Sequence, residues 1–508
     1  MKKRALISVY DKKGIVDLAC KLEKLGYEIV STGGTYRYLK ENGVSVIEIN
    51  DVTGFPEILD GRVKTLNPMI HGGILFRRDL SSHVDTIKKE DITPIDIVVN
   101  NLYPFEEKLL SGALFSDMIE NIDIGGPSMI RAAAKNFNDV IILTNPCQYE
   151  NIIKELEKGA VSLDTKKRLA AEAFSYTAYY DSLISNYFND IVKVDFPEYK
   201  TNGYKLKEML RYGENPHQKA AYYIEPVSYK NLKMDKLHGK DLSYNNLRDI
   251  HAAVRSVSEF KTPAVVGLKH TNPCGIGADE DIHKAYMKAY ECDTESIFGG
   301  IIAFNREVEE KSAEHMASYF LEVIIAPSFS EKALEILKSK KNLRLIEIPS
   351  LKNIKLNSYT SKEVLGGIVY QEKDEVIYED FDFSVMTTRE PTEKEKENII
   401  FALNCVKSVA SNGVVIARDN MTIGIGQGEV RRSWAVEEAI SRAKDKGIEG
   451  AVLASDAFFF EDSVEVLHDA GVEVLVSPGG SIKDDEVIRL CNEYNMCLIF
   501  TGKRHFRH

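Results

Sequence analysis

The sequence predicts an α/β protein whose first part is built on a mostly parallel sheet, and three observations carry that reading. Short apolar runs alternate with stretches of helical spacing, glycine-containing turns follow several of the runs, and the rhythm resumes after one aperiodic stretch near residue 200. Strands alternating with helices are the signature of layered α/β architecture. At 508 residues the chain exceeds what one hydrophobic core serves, so two to four domains are expected.

ALISVY (5–10) reads as a strand, and Ile15, Val16, Leu18, Ala19, Leu22 and Leu25 follow at helical spacing. YEIVS (27–31) runs into Gly33-Gly34. IDIVVN (95–100) and DVIILT (139–144) are further strands, SMIRAAAKN (128–136) reads as a helix, and a long helical stretch from about Leu163 to Asn189 closes this part. Residues 190–205 lose the periodicity and carry Pro197 and Asn202-Gly203, which marks a linker. The expected division is therefore 1–198 and 199–508. Beyond it come AVVGLKH (264–270), GGIIAFN (299–305) and EVIIAPS (322–328). A helix is expected to start near REPTEKEKEN (389–398). GVVIARDNMTIGIG (413–426) reads as a hairpin turning at Asp419-Asn420, and AVLAS, VEVLVS and MCLIF follow as strands. Two similar α/β units fit this second part, but spacing alone leaves that open.

Composition narrows the classes of function. Hydrophobic residues at 44% and charged residues at 28% are ordinary for a water-soluble globular chain. A net charge of −12 works against general nucleic-acid binding. The first apolar run is broken by Tyr10, Asp11 and two lysines, and no segment approaches the roughly 18 apolar residues of a membrane span. The seven cysteines are scattered and form no CxxC pair, which suggests reduced thiols in a cytoplasmic protein and gives a cysteine-based zinc site little support.

Polar motifs gather at turns. Ser31-Thr32-Gly33-Gly34-Thr35 lies between a strand and a helix, where backbone N–H groups and hydroxyls can cradle a phosphate; a plain turn accounts for it equally well. Arg62 and Lys64, within Gly61–Pro68, put two cations on one loop that could pair with a phosphate or simply face solvent. Asn101-Leu102-Tyr103-Pro104-Phe105 ends a strand, where α/β sheets place ligands. Asp123-Ile124-Gly125-Gly126-Pro127 leads into a helix with Lys135 further on. In the second part, Arg211–Gln218, Leu242–Asn246 with Asp249, and Lys269-His270-Thr271-Asn272-Pro273-Cys274-Gly275 are rich in hydrogen-bonding groups. A Lys-His pair at a strand end offers a proton donor beside a group titrating near neutrality, although either residue alone is more often structural. Asn412, Arg431-Arg432 and Ser455–Phe460 add anion-binding and aromatic elements.

Taken in order, GRVKTLNP, NLYPF, DIGGPSMIRAAAKN, RYGENPHQ and KHTNPCG resemble the bifunctional AICAR formyltransferase/IMP cyclohydrolase family of purine biosynthesis, over essentially the whole chain. The resemblance implies a methylglyoxal-synthase-like parallel-sheet domain followed by two cytidine-deaminase-like α/β units, with a boundary near 375–390. It implies formyl transfer from 10-formyltetrahydrofolate to AICAR, giving FAICAR, and ring closure of FAICAR to IMP with loss of water. It further implies a homodimer with transferase sites built across the subunit interface and small-molecule substrates, while the sequence itself requires no metal.

Carried over by position, the resemblance assigns Ser8, Lys12, Thr32, Gly34, Thr35, Arg62, Thr65, Asn101, Gly125 and Gly126 to the cyclohydrolase nucleotide. Lys64, Tyr103, Asp123 and Lys135 would handle its protons. Arg211, Tyr212, Gly299, Glu322, Arg432, Phe460 and Glu465 would bind the transferase substrates, with Lys269, His270 and Asn412 catalytic. The sequence departs from the pattern in three places: the 455–460 loop is one residue short, and Glu322 and Glu465 stand where aspartates are expected. Two rival readings are weaker. A zinc-dependent nucleoside deaminase needs a PCxxC that Pro273–Gly277 does not offer. A phosphate-binding effector module would leave Tyr103, Asp123 and Lys135 without a shared task.

Overall fold

The structure, a computed structural model, describes residues 3–59, 62–353 and 358–508; Gly61 of the first cationic loop lies outside them. The chain divides into two compact units, Met1–Lys205 with Glu225–Val227, and Leu206–Ile224 with Ser228–His508.

The first unit is organised by a five-stranded sheet of β1 (Lys3–Val9), β2 (Tyr27–Ser31), β3 (Val46–Glu48), β4 (Ile97–Asn101) and β5 (Ile141–Leu143), in the order β3-β2-β1-β4-β5. Every pairing is parallel. Ala5, Leu6 and Ile7 of β1 and Ile97 and Val98 of β4 are fully buried, as the continuous apolar runs of a sheet covered on both faces require. Helix α1 (Ile15–Lys24) buries Ile15, Leu18, Ala19 and Leu22, one face of its 3.6-residue period. Helix α2 (Gly33–Glu41) follows β2 directly. Helix α3 spans Gly125–Lys135, three residues earlier than its apolar pattern suggests. Pro127 is tolerated in a first turn, where its missing N–H costs nothing, and Asp123 accepts the N–H of Gly126. Helix α4 (Leu163–Val192) runs 30 residues from a Ser162 cap, and the chain then returns along it. A Cβ on Gly203 would lie 2.4 Å from Ser182 Oγ, so only glycine fits at that crossing.

The second unit holds one twelve-stranded sheet. Its strands are β6 (Asp235–His238), β7 (Ala264–Lys269), β8 (Asn272–Ala278), β9 (Ile301–Phe304), β10 (Val323–Ala326), β11 (Arg344–Glu347), β12 (Ser384–Val385), β13 (Val414–Arg418), β14 (Met421–Gly426), β15 (Val452–Ser455), β16 (Val474–Ser477) and β17 (Cys497–Phe500). Their order is β12-β17-β16-β15-β13-β14-β8-β7-β9-β10-β11-β6. The two halves repeat one topology. A capped helix, α5 (Tyr244–Val257) or α6 (Glu393–Val406), precedes an antiparallel hairpin, β7–β8 or β13–β14. The hairpin's first strand pairs antiparallel with β9 or β15, and parallel strands complete each half. The halves join edge to edge through β8 and β14. The hairpin expected at Asp419-Asn420 is present, with φ of 56° and 54° at those residues, the left-handed pair of a two-residue loop. Between α5 and α6, Lys407 and Glu259 form a buried ion pair, and Lys407 also donates to the Val376 carbonyl.

Candidate active sites

The C-terminal ends of β1, β2 and β4 open into a cavity of 650 Å³. It sits where the strand order reverses between β1 and β4, the position at which parallel sheets leave a crevice for ligands. Two helices begin at its wall, α2 at Gly33 and α3 at Gly125, so each turns a positive dipole end toward it, with the Gly126 N–H of α3 already taken by Asp123. Ser8 Oγ and Thr32 Oγ1 share a hydrogen bond of 2.9 Å, and Thr35 Oγ1 donates to the Val9 carbonyl at 2.8 Å, which fixes the hydroxyls at the α2 end. A Cβ on Gly33 would lie 3.5 Å from Lys64 Nζ, so the ammonium overhangs that helix start. Asn101 Oδ1 accepts the Tyr10 and Asp11 N–H groups at 2.6 and 2.9 Å and holds the loop that carries Lys12.

At the α3 end the packing leaves no room for side chains. A Cβ on Gly125 would meet Thr65 Oγ1 at 2.5 Å, and one on Gly126 would meet Asp123 Oδ2 at 2.6 Å. Burial pushes the Asp123 carboxyl up, against the opposing pull of the Gly126 and Tyr103 N–H groups and of Lys64. Tyr103 stands at the mouth, 39% exposed, its ring edge-on to Tyr10. Arg62, at the same mouth, is paired with Glu120. Such a cavity can hold a phosphate against α2 and stabilise developing negative charge at α3.

A second cavity, of 770 Å³, lies in the second unit at the end of β7. Arg211, Tyr212, Lys269, His270, Gly299 and Glu322 all line it. Lys269 Nζ donates to the Phe298 carbonyl at 2.9 Å, and Glu322 pairs with Arg344 at 2.6 Å. His270 and Thr271 form the hairpin tip, with φ of 54° and 64°. In the other half of this unit, Arg432 is buried, paired with Asp456, and donates to Asn412 Oδ1 at 2.8 Å. Asn412 Nδ2 in turn donates to the Glu429 carbonyl at 2.8 Å. Phe460, 44% exposed, precedes the helix Glu461–Asp469, which carries the exposed Glu465. Among the described residues no group of three or more His, Cys, Asp or Glu could hold a metal ion, and no helix is long and apolar enough to cross a membrane.

The AICARFT/IMPCHase bienzyme family model matches residues 133–442, and the MGS-like domain model matches residues 14–128. The bifunctional purine biosynthesis protein PurH of Caldicellulosiruptor saccharolyticus is 52% identical over 518 residues, covering 100% of each chain. Proteins of the same name from Thermoanaerobacter sp. and Clostridium botulinum strain Hall are each 51% identical, again over 100% of both chains. The chain belongs to the AICARFT/IMPCHase bienzyme family. It is a bifunctional enzyme of purine biosynthesis that formylates AICAR to FAICAR and closes FAICAR to IMP, and its N-terminal domain is MGS-like.

In this bienzyme, Ser8, Lys12, Thr32, Gly34, Thr35, Arg62, Lys64, Thr65, Asn101, Tyr103, Asp123, Gly125 and Gly126 share the 650 Å³ cavity. Lys135 does not join them. It ends α3, ten residues from Gly125 and so about 15 Å along the axis. There it lines a different cavity, of 600 Å³, with His71, Arg131 and Phe174. The single cluster of Lys64, Tyr103, Asp123 and Lys135 that the resemblance implies is thus not formed within one chain, because the helix that presents Gly125 carries Lys135 away. Asn412, Arg432, Phe460 and Glu465 likewise lie outside the cavity that holds Lys269 and His270. Sequence reading assigned no role to Glu120, Arg344 or Asp456, each of which occupies an expected binding residue. Only Asp456 left a signal, as the charged residue at the end of an apolar strand run.

Proposed function

We propose that the 650 Å³ cavity closes FAICAR to IMP and that the 770 Å³ cavity seats AICAR for formylation by 10-formyltetrahydrofolate. The observation that carries the first assignment is the meeting of two helix N-termini with Lys64, Tyr103 and Asp123 at the switch point of a parallel sheet. In FAICAR the attacking nitrogen and the formyl carbon belong to one molecule, so proximity is largely supplied by the substrate. The α2 end, with Thr32, Gly34 and Thr35, takes the phosphate, and Ser8, Lys12, Arg62, Thr65 and Asn101 complete the nucleotide contacts. As the nitrogen adds to the formyl carbon, the oxygen gains negative charge beside the Gly125 N–H, the positive end of α3 and Lys64. Tyr103 and Asp123 move the protons that let this oxygen leave as water.

In the second cavity, Arg211, Tyr212, Gly299 and Glu322 hold the nucleotide. His270 takes the proton as the AICAR amine attacks the formyl carbon, and Lys269 protonates the folate nitrogen as its bond to that carbon breaks. The residues left outside this cavity, Asn412, Arg432, Phe460 and Glu465, support a homodimer in which a second copy brings its half of the folate and AICAR contacts. The two activities divide at the linker, between 1–198 and 199–508, with a boundary inside the latter near 375–390. We place the enzyme in the cytoplasm, without a required metal, on its acidic soluble composition and unpaired cysteines.

Incubating the protein with AICAR and 10-formyltetrahydrofolate should yield IMP and tetrahydrofolate. Accumulation of FAICAR without IMP would overturn the first assignment, and absence of formylation under the same conditions would overturn the second.

A further inference from the structure

The hairpin tip that carries His270 has an internal counterpart. In both halves of the second unit a two-residue loop closes the first hairpin with both residues at positive φ, His270-Thr271 at 54° and 64° and Asp419-Asn420 at 56° and 54°. Asp and Asn tolerate this left-handed conformation. Histidine visits it as well, but β-branched threonine is a genuine outlier there, the kind of local strain that persists only where the surroundings impose it.

What imposes it is also repeated. The sixth residue of α5 is Asp249, and its Oδ1 accepts the N–H of Thr271 at 2.8 Å. The sixth residue of α6 is Asn398, and its Oδ1 accepts the N–H of Asn420 at 3.3 Å. Each half thus ties the second residue of its turn to the same position of its helix. The half whose turn resists the conformation has the shorter bond and a carboxylate acceptor, and charge-assisted bonds are the stronger kind. The turn is held from other sides too: Asn272 Nδ2 donates to the His270 carbonyl at 3.1 Å and Arg507 to the Thr271 carbonyl at 3.4 Å. Asp249 is half-buried and lines the same cavity as Lys269 and His270.

We propose that Asp249 is a positioning residue of formyl transfer, holding the His270-Thr271 turn in its left-handed form so that the imidazole faces the substrate amine. This rests on the reading of His270 as the base. Glycine adopts positive φ without strain, so replacing Thr271 by Gly removes the need for the tether. A residue that acted through its charge on the imidazole, or by binding substrate, would be needed equally in either background.

The test compares formyl-transfer kcat for Asp249→Ala in the parental chain and in the Thr271→Gly chain, with His270→Ala as a control. Asp249→Ala should lose about tenfold or more in the parental chain, matching release of one strained residue. In the Thr271→Gly chain the same change should lose less than about threefold. Equal losses in both backgrounds, or no loss in the parental one, would overturn the proposal. His270→Ala transferring at the parental rate would instead remove the base assignment, a failure distinguishable from the tether's. If Asp249→Ala alone does not fold, the double variant decides: folded and active upholds the tether, folded and inactive rejects it.

Discussion

Asp123 Oδ1 accepts the N–H of Gly126 at 2.8 Å, across the first turn of the helix whose start walls the cyclohydrolase cavity. Burial dominates the shift of this carboxyl and moves it upward. The folded protein therefore holds the Asp123 proton more tightly than the unfolded chain does. The stability it contributes is complete below the ordinary aspartate value of about 3.9 and is lost as pH rises through the raised folded value. Asp123→Asn keeps the shape and an acceptor for Gly126 while removing the charge. Its melting temperature at pH 7 should match or exceed the parent's, with the gap closing toward about pH 4. Ring closure should nonetheless slow ~10²–10⁴-fold. Melting well below the parent at pH 7 would mean that the charge stabilises the fold.

Tyr103→Phe isolates the hydroxyl. The ring keeps its edge-on contact with Tyr10 at 6.5 Å, so stability should change by less than about 0.5 kcal/mol. The rate of IMP formation from supplied FAICAR should fall ~10²–10⁴-fold. An unchanged rate would reduce this tyrosine to packing.

The first unit should work alone. Its own contacts extend to residue 205, and Gly203 packs against Ser182 of α4, so a fragment of residues 1–205 retains the returning segment that an end at 198 removes. It should fold and convert FAICAR to IMP. A folded, inert fragment beside an active full chain would mean that ring closure borrows groups from beyond the linker, or that Lys135 must be delivered from elsewhere.

The buried Lys407–Glu259 pair predicts a large stability effect away from either site. Burial pushes the Glu259 carboxyl up and Lys407 opposes it, so losing the lysine strands an acid in the core. Lys407→Met should destabilise the second unit by about 3–5 kcal/mol, and Lys407→Met with Glu259→Leu by less. Equal losses in thermal or urea unfolding would show that the carboxylate is compensated by other groups.

Parts of this architecture were legible in the sequence because local chemistry and tertiary demand agree. Asp419-Asn420 reads as a hairpin turn since those residues favour the conformation that the turn needs. The strands with both faces covered read as apolar runs, whereas Val46–Glu48, Asp235–His238, Asn272–Ala278, Arg344–Glu347 and Ser384–Val385 are short or polar and were missed. Where two demands compete, reading failed. Gly125 and Gly126 look like loop and are the first turn of a helix, because Asp123 caps it and Pro127 fits there. In the His270-Thr271 turn the β-branched threonine argues against the conformation it adopts; a carboxylate 22 residues upstream supplies what that residue lacks. Arg432 reads as a free cation, and only the fold reveals Asp456 against it.

Lys269 gives the sharpest division between a structural and a chemical role. Its ammonium donates to the Phe298 carbonyl at 2.9 Å at the edge of the 770 Å³ cavity, which a structural lysine could do as well. Methionine keeps the aliphatic stem and removes the donor, and a half-buried strand end tolerates that change within about 1 kcal/mol. If the ammonium protonates the departing folate nitrogen, Lys269→Met should fold normally and bind AICAR nearly as well as the parent. It should lose ~10²–10⁴ in formyl transfer, because a poor leaving group is left without its acid. His270→Ala should lose transfer as well and weaken AICAR if the imidazole also contacts the carboxamide. Both variants should close supplied FAICAR at the parental rate, since the residues assigned to that reaction lie in the other unit. That reaction thereby serves as an internal control for folding of the first unit, with circular dichroism and molecular mass checking the second. Parental formyl transfer in Lys269→Met would remove the lysine from the mechanism. Joint loss of both activities would point to misfolding or to coupling between the units.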